Sequence, residues 1–76
     1  MLPIQERWWN LDFDGVVGKD GAGAGFCING PKHENIICSY KIYFDCTNNI
    51  SEYEALILGF QKLIELKVKN VYIWRF

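Results

Sequence analysis

Residues 45–66 read DCTNNISEYEALILGFQKLIEL, and this segment decides the fold. Two asparagines and a serine lead into an apolar run with helical spacing, the pattern of a capped helix start. Glu52, Leu56, Gly59 and Leu63 share one stripe, while Glu54, Leu58, Gln61 and Glu65 form a wetter one. The spacing predicts a helix from about Ile50 to Leu66 with the Glu52 stripe pressed on a sheet. Two capping boxes compete, Ser51 with Glu54 and Asn49 with Glu52, and local sequence alone favours capping for Glu52.

Strands flank this helix. Trp8–Phe13 alternates, with Trp9, Leu11 and Phe13 on one face and Asn10, Asp12 and Asp14 on the other. A Lys19-Asp20-Gly21 tip suits a hairpin, followed by a second strand over Ala22–Ile28. The turn NGPKHEN separates this from a β-branched and aromatic third strand, Ile36–Phe44. KVKN ends the helix, and VYIWRF is a fourth strand. Gly21, Gly23 and Gly25 lead into a strand rather than a helix, and no Gly-Lys-Ser/Thr follows. They imply close backbone packing, not a phosphate loop.

The expected fold is therefore mixed α/β. Strands one to three form an antiparallel meander, the helix crosses back, and the fourth strand lies parallel to the first. That topology gathers the end of strand one with Asp14, the first helical turn with Glu52, and the tip of strand four. Two carboxylates there suit a shared divalent cation, and magnesium favours such hard oxygen ligands.

Composition limits the partners. The chain has 76 residues, enough for one small domain, with 50% hydrophobic and 22% charged residues, a globular balance. A net charge of −1 provides no general basic field, so nucleic-acid binding needs a local patch. Lys62, Lys67, Lys69 and Arg75 gather late and read first as a solvated helix end favoured by the dipole. Cys27, Cys38 and Cys46 are scattered, which argues against a disulfide framework or zinc site and for a reducing compartment. MLPIQERWW lacks a secretory pattern and no apolar run reaches membrane length, so an intracellular, nuclear or cytoplasmic, place with no membrane partner is expected. The sequon Asn49-Ile50-Ser51 then carries little meaning, and His33 reads as a solvated loop side chain.

LDFDG, GAGAGF and TNNISEYEALILGFQKL occur in that order and, over about residues 9–74, resemble the N-terminal half of a type 1 ribonuclease H domain. The likeness is to the ribonuclease H-like modules of plant retroelement polyproteins. It implies that residues 1–76 are a single partial domain with a truncated ribonuclease H-like fold. The implied activity is magnesium-dependent hydrolysis of the RNA strand of an RNA–DNA hybrid, with two Mg2+ ions clamping the attacking water and the leaving oxygen. By position, Asp14 corresponds to the first metal-binding, catalytic carboxylate and Glu52 to the second. Asn48 and Asn49 correspond to asparagines that contact the hybrid at its minor groove, where amides can bond to 2′-hydroxyls. Gly15 would let backbone approach the nucleic acid. The resemblance reverses the preference for capping at Glu52.

The departures set the functional expectation. The family's third carboxylate stands at the tip of strand four in a Gly-Asp pair, where this chain has Arg75-Phe76. Val16 replaces a small polar residue, and a fourth carboxylate and later elements would lie beyond Phe76. Asp12 lies about 7 Å along the strand from Asp14, too far for a substitute ligand. The chain is thus expected to be inactive or weak, with nucleic acid as partner and an open fourth-strand edge that favours self-association. The alternatives are a non-catalytic nucleic-acid-binding or interaction fragment, and a shortened reading of a longer gene.

Overall fold

A computed structural model of the chain describes residues 7–19, 21–44 and 47–75. In chain order the elements are β1 (Trp9–Gly18), β2 (Gly21–Asn29), β3 (Asn35–Ile42), α1 (Asn48–Glu65) and β4 (Val71–Arg75). They make one mixed sheet in the order β3-β2-β1-β4. β2 is antiparallel to both β1 and β3, while β4 runs parallel to β1. This is the expected meander, helix and parallel fourth strand.

Period-two alternation in β1 determines which face is buried. Leu11 and Phe13 register with Ile28 and Phe26 of β2, so their side chains stand together on the face that α1 covers. Ala24, Ile42, Ala55 and Leu63 complete the buried cluster. Asn10, Asp12 and Asp14 fall on the other face. β1 continues past the expected end at Phe13, through Val16 and Val17, although both are exposed. Its ladder with β2 sustains it as far as the Gly18–Gly21 pair, and Gly21 has a φ of 124° that only glycine adopts readily. Asp20 of the expected tip lies outside the described residues.

The helix starts earlier than expected and on a different cap. Thr47, in extended conformation, accepts the Ile50 N–H on Oγ1 at 3.2 Å. Neither expected box forms the cap. Ser51 is instead fully buried, and its hydroxyl donates to the Asn48 carbonyl at 2.8 Å. The helix ends where Lys67 turns left-handed, with a φ of 59°. The N–H groups of Lys67 and Val68 then close on the carbonyls of Ile64 and Leu63, both at 3.0 Å, as in a Schellman stop.

The buried stripe also differs from the expected one. It is Ser51, Ala55, Gly59 and Leu63, rotated by a position from Glu52 and Leu56. Small side chains explain the shift, because they let the helix backbone settle close on the sheet. A Cβ on Gly59 would come within 2.8 Å of Leu11 Cδ1. A Cβ on Gly15 would collide with the Glu52 nitrogen and the Ser51 carbonyl carbon. The opposite side of α1 carries Ile50, Tyr53, Ile57, Phe60 and Ile64, all exposed.

These two glycines are expected to respond unequally to alanine. Gly15→Ala meets backbone and should destabilise by about 1–3 kcal/mol, the usual cost of overpacking. Gly59→Ala meets the end of a leucine side chain and gains about 1 kcal/mol of helix propensity, so its net loss should be smaller. Urea unfolding of both variants measures the difference, and equal losses would contradict the backbone contact at Gly15.

Candidate functional site

The junction of β1 and α1 is built by Gly15. Because no side chain intervenes, the strand backbone lies directly under the Ser51–Glu52 peptide of the first helical turn. Gly15 is itself buried there, with its open side against the helix. Asn48 and Asn49 are exposed at the opening of the same turn, beside the Thr47 cap.

Glu52 points to the tip of β4. Arg75 registers with Phe13 in the parallel ladder, on the face that α1 covers. From there its Nη2 donates to Glu52 Oε1 at 2.8 Å. The Glu52 side chain is 15% exposed and that of Arg75 62%, so the carboxylate is mostly covered while the guanidinium remains wetted. The tip of strand four thus reaches Glu52, as the topology requires, but it brings a cation.

Asp14 is Glu52's neighbour through the backbone, not through its carboxylate. Alternation along β1 turns it to the face opposite Phe13 and Gly15. Its Oδ1 accepts the Gly15 N–H at 2.9 Å. It borders an open groove of about 290 Å³ shared with Val16, Gly23, Gly25, Ser39 and Tyr40. The trough follows from the register, which sets Asp14 against Gly25 and Val16 against Gly23, positions with no side chain. The Tyr40 ring itself stacks on Phe26 on the face that α1 covers, and its phenol titrates above its ordinary 10.0, through burial first and the adjacent Cys38 second.

The same face carries an aromatic row along the sheet edge. Trp8 stacks on Tyr72 with ring centroids 4.5 Å apart, and Trp74 donates its indole N–H to Asn10 Oδ1 at 3.0 Å. Asp12 registers with Trp74. Among the described residues no group of three or more His, Cys, Asp or Glu comes together. Glu52 is engaged by Arg75, while Asp14 stands on the other face of the sheet.

The remaining candidates are quickly placed. Lys62 pairs with Glu65 at 3.3 Å, and Lys67 and Lys69 are exposed at the far end of the helix from Asn48. Cys27 and Cys38 are free thiols, and Cys46 lies outside the described residues. His33 is exposed in its turn. Among the described residues no helix is long and apolar enough to cross a membrane. Sequence reasoning missed Arg75 as the partner of Glu52. The available signal was a basic residue where the resemblance expects Gly-Asp.

No family model, curated protein or solved structure matches the chain.

The Glu52–Arg75 pair should be measurable but modest. A double-mutant cycle with Glu52→Gln and Arg75→Gln is expected to give a coupling of about 0.5–1 kcal/mol in urea unfolding at low salt. Molar salt should reduce it, because Arg75 is open to solvent. A coupling of zero at low salt would mean that the pair does not persist in solution.

Proposed function

We propose that this chain is a ribonuclease H-like module that engages RNA–DNA hybrid, or other nucleic acid, at the start of α1 and cleaves it weakly or not at all. One observation carries the reading. The close contact of Gly15 with Ser51 and Glu52 joins LDFDG to TNNISE at one end of a β3-β2-β1-β4 sheet. An intracellular, nuclear or cytoplasmic, setting accompanies this reading.

The chain's own groups suit holding better than cutting. The Asn48 and Asn49 amides are exposed and offer both donors and acceptors to 2′-hydroxyls and base edges. They stand at the positive end of the α1 dipole, where free backbone N–H groups favour a phosphate. The charge available beyond this is small, since Arg75 is paired and the net charge is −1. Affinity should therefore be modest and steeply salt-dependent. The resemblance ties hydrolysis to magnesium, which would polarise the phosphate and activate water. Two ions need more free carboxylate oxygens than Asp14 and Glu52 provide.

A second reading, a protein-interaction fragment, has its own support. Ile50, Tyr53, Ile57, Phe60 and Ile64 recur at intervals of three and four on the outward side of α1, all exposed. Tyr72, Ile73 and Trp74 on the β4 edge are exposed as well.

A labelled RNA–DNA hybrid separates the two. Binding is expected to weaken as salt rises, and to fall about fivefold when Asn48 and Asn49 are both changed to Ala, the loss of about one net hydrogen bond. With magnesium present, wild type, Asp14→Asn and Glu52→Gln should all stay at background cleavage. Cleavage by wild type that both variants lose would overturn the prediction of inactivity. An oligomer that forms with concentration and ignores the hybrid would establish the interaction reading instead.

A further inference from the structure

We infer that Arg75 supplies, as part of the chain, the positive charge that a ribonuclease H-like site takes from a divalent cation. The inference rests on the ribonuclease H-like reading and concerns what Glu52 binds. Three observations meet at this carboxylate. It is mostly covered, with 15% of its side chain exposed. It receives a guanidinium N–H at 2.8 Å. And the residue that delivers the guanidinium stands at the end of β4, one ladder step from the level of Asp14.

The physical consequence is competition. A covered carboxylate needs a compensating charge. Guanidinium remains charged at every pH a folded protein survives, and it bonds carboxylate oxygens directly. A divalent ion approaching Glu52 must first displace a tethered partner already in contact. Asp14 cannot tip the balance, because its carboxylate accepts from Gly15 and opens toward Gly25 and Ser39 on the other face. Among the described residues no third ligand stands ready. The junction is thus neutralised from within, and the local fold around Glu52 owes nothing to dissolved metal. The same pairing explains how a carboxylate at this position is tolerated beside a strand tip that lacks the family's acidic residue.

The test is a Mn2+ titration of the full chain without nucleic acid, read by calorimetry and by thermal melting. Wild type and Arg75→Lys should show no saturable Mn2+ binding, with melting temperatures indifferent to the ion. Arg75→Glu sets a second carboxylate where the cation was. It should melt lower in metal-free buffer, recover with Mn2+, and bind the ion saturably where wild type does not, as expected when a like charge replaces an opposite one. Adding Glu52→Gln to Arg75→Glu should abolish that gain. If Arg75→Glu does not fold by circular dichroism, the neutral Arg75→Gln serves, with Mn2+ binding still tighter than wild type. Wild type binding Mn2+ as tightly as the folded variant would overturn the inference, as would a folded variant indifferent to the ion. Hybrid binding plays no part in this readout, so a failure here and a failure of the nucleic-acid reading are seen separately.

Discussion

The whole arrangement depends on how closely α1 approaches β1. Gly15 leaves no room for a side chain beneath the Ser51–Glu52 peptide, and Gly59 leaves little above Leu11. Ser51 and Ala55 continue the same small-residue seam. A larger residue at any of these places would lift the helix from the sheet, and with it the first turn and its exposed asparagines. The buried hydroxyl of Ser51 is the one polar group in the described core, and its bond to the Asn48 carbonyl satisfies it without a partner from the sheet. Close packing and hydrogen-bond economy therefore select the same small residues.

That closeness governs backbone, not charge. Asp14 and Glu52 are near neighbours along the path from strand to helix, yet the pleat assigns them to different surroundings. Glu52 shares the helix-side space with the guanidinium from β4, whereas Asp14 borders a glycine-floored groove on the open face. The distinction matters because electrostatic cooperation between two carboxylates depends on where their oxygens lie.

Much of the fold was legible from residue type and spacing. The alternation of Trp9, Leu11 and Phe13 against Asn10, Asp12 and Asp14 identified a strand and its faces, and the segment 45–66 identified the helix that crosses to a parallel fourth strand. What escaped was what small or polar residues do in three dimensions. Thr47 is hard to recognise as the cap because Asn48, Asn49 and Ser51, residues with an equal or stronger cap preference, follow it. The buried stripe was misjudged by one position because Ser51 and Ala55 contribute little hydrophobic signal yet permit the nearest approach. At the candidate site, the convergence of strand end, helix start and fourth-strand tip could be read from topology. The partner of Glu52 could not, since an arginine late in a small acidic chain looks like any other surface cation until the register aligns it with Phe13.

The position of β4 ties the sheet's pairing to the charge balance of the helix start. β1 is an interior strand of the sheet, and one of its two neighbours comes from beyond the long helix in chain order. Until Val71–Arg75 docks, one flank of β1 has no ladder partner among the described strands. Val71–Arg75 pairs that flank, and the same strand places the guanidinium against Glu52. The ladder on that flank and the compensation of the covered acid therefore depend on one and the same short strand.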